Sequence, residues 1–316
     1  MLDVRLAMTV VLGVLSAVAV IANLLLFVII TVNTPKAIRT YSVLIVNYVL
    51  TDLFTTIAQA ITMARLVAAN HSFSLMFYGI CTKVSSSFCF STFLAETFGL
   101  SHGLNSVLLS IAYRYFSLRY GVPKRRPIII LCFVACLPSL VPVGILWRKW
   151  SSEQSIRETI RTYRPDVFYP EMTVAGIDDS SDSLMQAVFA FYLVLWFPVI
   201  ITINILKRKM YAMVRSHANH LSTETLRLHT NLIQALTTQS LVPFLHMMTY
   251  VCFIVDQYIY ANDFVEIVIF LPIVLVSIAT PMINIYYIRP YRETFKTCFR
   301  NRGNKQGEIR SSLPRM

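Results

Sequence analysis

Apolar residues in this chain are gathered into runs of twenty or more, parted by short polar stretches. At 1.5 Å per residue a helical run of that length crosses the hydrocarbon core of a bilayer. The runs lie at Leu6–Val32, Tyr41–Val67, Phe88–Leu118, Pro127–Trp147, Leu184–Ile205, Asn231–Val255 and Phe264–Ile288. Only 14% of the 316 residues are charged, too few to coat a soluble domain of this size. The pattern predicts an all-α membrane protein, a seven-transmembrane helix bundle. The third run is overlong and is expected to tilt or project. The first has a thin basic start in Arg5, and its apolar character continues past Ala17–Ala19 to Ile30, so it reads as a retained signal-anchor helix.

The net charge of +12 would suggest nucleic acid in a soluble protein, but here its placement decides its meaning. Segments 33–40, 119–126 and 207–228 and the tail from Arg289 carry 2, 4, 5 and 8 lysines and arginines, opposed only by Glu224, Glu293 and Glu308. The alternate segments hold most of the acids. Basic loops stay cytoplasmic, so the N-terminus is expected outside and the C-terminus in the cytosol. The charge is a topology signal, and no nucleic acid partner is implied.

The expected outer side has one long loop, 148–183, with a predicted short helix from Ser151. Asn70-His71-Ser72 in the first outer loop is a glycosylation sequon, making Asn70 the candidate acceptor. Six cysteines include no C-x-x-C pair and no metal spacing with histidine, so no metal or cofactor is implied. Cys81 and Cys89 could pair only if the chain between them is not helical, because eight residues along one helix separate them too far. Otherwise they are free thiols. Beyond the seventh run, Tyr291, Phe295, Cys298 and Phe299 recur at helical spacing beside Arg292, Lys296 and Arg300. This predicts an amphipathic helix on the inner leaflet, with Cys298 a candidate for palmitoylation. Residues 1–300 therefore read as one helical domain and 301–316 as a disordered cytosolic tail.

Few ionisable residues fall inside the runs, and those are costly unless partnered. Glu96 and Arg114 are eighteen residues, five turns, apart and share one face of the third helix, roughly 27 Å from each other. Thr92, Gly99, Gly103, Ser106 and Ser110 lie near that face, and such a stripe of small residues marks the interior side of a membrane helix. Glu96 reads as a ligand contact in an outward cavity or as a carboxyl bonded to a neighbouring helix, with function favoured. Thr92, Gly99 and His246 complete the candidate ligand set, although His102 and His246 read more readily as packing residues. Asn23, Asn47, Asp52 and Asn284 form a candidate interhelical polar network, either packing glue or a switch. Arg114 either snorkels to lipid phosphates with Lys124, Arg125 and Arg126 or closes the cytoplasmic end of a bundle that opens to a partner.

Seven spans ending the third with Tyr113-Arg114-Tyr115 resemble a heptahelical G-protein-coupled receptor. Asn23 and Asp52 match polar positions of rhodopsin-like receptors, but Tyr113 stands where their acid would be, and Thr280–Asn284 replaces an Asn-Pro-x-x-Tyr motif. The motifs "YGIC" (Tyr78–Cys81), "YRYF" (Tyr113–Phe116), "LHTNLIQALTTQSLVP" (Leu228–Pro243) and "PMINIYYIRPYR" (Pro281–Arg292) are closer to a narrower group. In order and spacing the chain resembles a nematode serpentine chemoreceptor of the Str superfamily, most like the delta class, Srd.

That resemblance implies a chemosensory receptor that binds a small-molecule odorant or pheromone and activates a heterotrimeric G protein. It implies a plasma-membrane location, in the cilia of chemosensory neurons. Homo- or hetero-oligomerisation is left open. Tyr113, Arg114, Tyr115, Lys124, Arg125 and Arg126 would form the coupling surface. The rival is a heptahelical ligand-gated cation channel like insect odorant receptors, whose inverted topology the charge bias opposes. An enzyme is not expected, since no Gly-x-Ser-x-Gly or His-Glu-x-x-His motif occurs.

Overall fold

A computed structural model describes residues 2–35, 38–216, 230, 233–234, 237–239, 242–259 and 263–297. The long helices are α1 (Leu2–Asn33), α2 (Arg39–Thr62), α3 (Ser86–Tyr120), α4 (Arg125–Val134), α5 (Leu137–Arg148), α7 (Ser183–Ser216), α8 (Val242–Tyr258) and α10 (Leu271–Tyr287). Two shorter helices, α6 (Glu153–Tyr163) and α9 (Asp263–Val268), belong to one end of the bundle. By length and composition, five stretches of the described residues suit a membrane: Thr9–Asn33, Arg39–Thr62, Arg125–Arg148, Ser183–Ser216 and Phe264–Tyr287. The 35-residue α3 carries glutamate, histidine, arginine and a run of serines along its length. The described α8 has 17 residues.

Several expected boundaries move. The fourth run breaks at Ala135–Cys136, where Pro138 opens α5 and Pro142 lies inside it, and proline cannot donate to the preceding turn. The fifth continues eleven residues past Ile205, to Ser216. The seventh divides into α9 and α10 at residues 269–270.

The expected all-α architecture also needs correction. The second run does not stay helical to Val67. Met63 adopts a left-handed conformation (φ 41°) and its N–H bonds Gln59 O, a turn that ends α2. The chain then forms β1 (Ala64–Ala69) and β2 (Ser72–Phe77), joined by Asn70 and His71, both at positive φ. Two left-handed residues match the twist of a tight hairpin, and asparagine tolerates them well. β3 (Thr173–Ile177) from the long loop completes an antiparallel sheet in the order β1-β2-β3, with Leu66 opposite Leu75 and Leu75 opposite Ala175.

This sheet is a layer between the bundle and α6, so both faces are covered. Leu66, Phe73, Leu75, Phe77, Ala175 and Ile177 join the cluster that includes Phe90 and Phe93 of α3. The alternate residues Val67, Met76 and Val174 pack with Ile156 and Ile160 of α6. The two-residue strand period sorts them to opposite sides. Ser152 caps α6 by accepting from Ser155 N, in line with the helix expected in this loop.

Cys81 and Cys89 form a disulfide. The intervening chain is not one helix. Ile80–Lys83 is a 3₁₀ turn and Ser85 is extended (φ −174°), so the chain folds back before α3 and the two Cα atoms approach to 5.1 Å. Gly79, just before, lies so close to Ile61 O that a Cβ there would collide with backbone. At the opposite end, residues 289–297 are helical. Tyr291 is fully buried there, with its hydroxyl 3.2 Å from Thr34 Oγ1.

Candidate functional site

A cavity of about 90 Å3 lies beneath the sheet, between α3, α5, α7, α8 and the α9–α10 junction. Leu66 and Phe73 roof it. Phe73 descends from the hairpin into the bundle, with its ring 5.9 Å from Phe93, 6.0 Å from Phe189 and 5.8 Å from Phe253. Tyr192 stacks on Tyr250 at 5.4 Å along the wall. Engineered cavities of about 150 Å3 hold benzene, so this one is small.

Glu96 is the charged group in that lining, and it is 1% exposed. Its Oε2 accepts from Thr62 Oγ1 at 3.3 Å, while Oε1 is buried without a partner. The Tyr192 hydroxyl on the opposite wall is likewise buried and unpartnered. Such a pocket, apolar with a few polar groups aimed inward, suits a small molecule held by one or two directed contacts.

Thr92 and Gly99 of the expected ligand set lie outside the cavity lining. Thr92 is spent on its own helix, donating to Phe88 O. Gly99 faces α2, where any side chain would collide with Thr55 Oγ1; its role is to let two helices touch. The His246 side chain lies outside the described residues, as does Cys298. Asn70 is exposed at the hairpin tip, and Ser72 of its sequon is buried and donates to Ala69 O.

Halfway along the bundle, Asn23 Nδ2 donates to Asp52 Oδ2 (2.9 Å) and Ser277 O (2.9 Å), and Ser277 Oγ donates to Asp52 Oδ1 (2.7 Å). This ties α1, α2 and α10 together. Asn47 is not part of that knot. It donates to Ser106 Oγ and lies 3.4 Å from His102 Nε2, and His102 also stacks on Phe98 and approaches Ala135 O. Asn284 forms a third group, accepting from Gln239 Nε2 at 3.1 Å. The expected network is therefore three separate knots.

At the far end, Arg114 is buried (9% exposed) with its guanidinium 3.5 Å from the centre of the Tyr41 ring, and its Nε has no hydrogen-bond partner. Tyr113 stacks on the same Tyr41 at 5.8 Å. Tyr115 faces α7, with Lys209 Nζ 5.9 Å from its ring. Lys124, Arg125 and Arg126 are exposed, and Lys124 starts α4.

At the sheet end, Glu266 of α9 is fully buried and accepts from Arg65 Nε (3.0 Å) and Nη2, from Arg164 Nη1, and from the Ala68 backbone N–H (3.3 Å). Arg164 also pairs with Asp166, and its hydrogen bonds hold that carboxyl below the usual carboxylate range. Sequence reasoning counted these only toward the charge balance of the expected outer side. The hairpin that gathers them had a signal: an Asn-His pair between "ARLVAA" and "SFSLMF", two short runs at turn spacing.

A receptor-like bundle, with a polar-tipped cavity at one end and a buried arginine at the other, is the class this arrangement defines. The family described as "Serpentine type 7TM GPCR chemoreceptor Srd" matches residues 8–297, and the chain belongs to that family. It is thus a membrane-spanning serpentine chemoreceptor of the G-protein-coupled-receptor type. Among its relatives in Caenorhabditis elegans, serpentine receptor class delta-3 is 25% identical over 294 residues, covering 90% of this chain and 86% of the relative. Serpentine receptor class delta-19 is 28% identical, covering 88% and 84%, and serpentine receptor class delta-1 is 25% identical, covering 87% and 76%.

Proposed function

We propose that this receptor spans the plasma membrane seven times, with its N-terminus outside, and that it works in sensory cilia of chemosensory neurons. A small molecule binds beneath the sheet at Glu96, and a heterotrimeric G protein docks at the basic end of the bundle. The single observation that carries this reading is Glu96 Oε1, a buried and unpartnered carboxylate oxygen lining an aromatic cavity. A polar atom left unsatisfied in the interior is expensive, and intramembrane carboxylates are retained for function. The disulfide at the sheet end supports an outer location, because disulfides persist in oxidising compartments.

Ligand entry would enlarge the small cavity by displacing Phe73 and the Tyr192–Tyr250 pair. A ligand that prefers the enlarged state shifts the bundle toward it. At the other end, Arg114 would leave its seat on Tyr41 and, with Tyr113, Tyr115 and the Lys124–Arg126 cluster, meet the G protein. Ligand-stimulated nucleotide exchange tests this. Arg114→Ala is expected to lower it at least ~10-fold, the loss of one to two charge-assisted contacts. Unchanged exchange would remove Arg114 from the mechanism, and an epitope tag after Met316 reachable in intact cells would remove the G protein.

A further inference from the structure

The ligand's chemistry can be narrowed, on the reading that the Glu96 cavity is the ligand site. We infer that the cavity selects a small primary amine, bound as its ammonium ion. The polar lining is Glu96, Thr97, Tyr192, Thr249 and Tyr250. Thr97 and Thr249 spend their hydroxyls on the carbonyls of Phe93 and Leu245, one turn back. The two atoms left without partners, Glu96 Oε1 and Tyr192 Oη, can both accept. A primary ammonium brings three N–H donors on one atom, and either acceptor can take one of them.

Charge leads to the same class. Among the described residues Glu96 forms no ion pair, and the arginines of the sheet end, Arg65 and Arg164, are engaged by Glu266. A ligand carboxylate would face the Glu96 carboxyl across a mostly apolar lining. A ketone or an ester can accept from the Tyr192 hydroxyl but gives Glu96 Oε1 no donor, and an alcohol gives it one. An ammonium neutralises the carboxylate, and the aromatic faces around it, including the Tyr192–Tyr250 stack, attract a desolvated cation. The small volume restricts the remainder of the ligand to a short aliphatic body.

Three probes of one carbon skeleton test the inference: isoamylamine, isoamyl alcohol and isovaleric acid. Each is titrated against the full-length receptor in lipid nanodiscs by calorimetry and thermal stabilisation. The amine is expected to bind at least ~10-fold more tightly than the alcohol, since a charge-assisted hydrogen bond is roughly twice as strong as a neutral one. Glu96→Gln should erase that preference, and Tyr192→Phe should reduce it. The wild-type ranking needs no variant to fold. An equal or stronger response to the alcohol or acid, or silence from all three, overturns the amine. So does an amine preference that survives Glu96→Gln. Thr97→Phe, which fills the cavity, separates the two readings. If it abolishes binding of a preferred alcohol or acid, the cavity stands as the ligand site and only the amine falls. If binding persists unchanged in Thr97→Phe, the site is elsewhere and both fall.

Discussion

Removing the carboxylate of Glu266 is expected to loosen the sheet that roofs the cavity. Glu266 is fully buried between two arginines whose side chains are 5% (Arg65) and 15% (Arg164) exposed. In Glu266→Gln the volume is kept, but Arg65 and Arg164 lose the carboxylate that lies between them and Ala68 N–H loses a carboxylate acceptor. Breaking a buried pair from one side costs about 3–5 kcal/mol. Arg164 relieves little of this, because it keeps Asp166 and reaches solvent. The loss falls on β1 and α9, so the assay is amide hydrogen exchange of peptides spanning Ala64–Phe77. Exchange there should accelerate by at least ~100-fold, the equivalent of about 3 kcal/mol of opening free energy. Peptides from the middle of α2 should not change. The double variant Arg65→Met/Glu266→Leu should recover most of the protection, since an apolar pair of similar volume often replaces a buried ion pair without loss. Protection unchanged in Glu266→Gln, or a double variant as loose as the single, would refute the reasoning.

Gly99→Val drives a branched side chain into Thr55, and overpacking of this kind costs about 1–3 kcal/mol. Thermal denaturation should show the loss, and Thr55→Ala in the same chain should restore part of it. Asp166 is held below the usual carboxylate range by Arg164, so its contribution is present above about pH 4, where the unfolded carboxyl has ionised, and is lost as pH falls through its lower folded value. Exchange of residues 164–177 should therefore rise as pH falls below about 4, and Asp166→Asn should flatten that rise. Tyr41→Leu removes the ring beneath Arg114, worth about 2 kcal/mol when desolvated, and should destabilise the resting bundle and raise ligand-independent nucleotide exchange.

The Arg114–Tyr41 contact shows where sequence reasoning stops. Helical periodicity put Arg114 on the interior face of α3, and it is buried there. Its partner lies seventy-three residues away on another helix, and no spacing rule reaches across two helices. Glu96 and Gly99 make the same point within one turn. Both sit on the polar stripe, but one lines the cavity and the other meets Thr55, because a small rotation about the helix axis decides which neighbour each faces. The Asn23–Asp52 pair was foreseeable as polar residues at matching depth. Ser277 joined it unannounced because a serine in an apolar run carries no signal of its own.

Hydropathy and charge placement determined, from sequence alone, that this is a helical membrane protein, and gave the expectation of a basic inner face. Those properties belong to each segment separately, because a bilayer imposes its length and its potential on every helix independently. The tertiary structure alone decided the three-stranded roof, the Glu266 ion cluster and the walls of the Glu96 cavity. Each depends on which residues distant in sequence meet. The sheet's covered faces make its strands read as one more apolar run, and a run of that kind is indistinguishable by periodicity from the helix it follows.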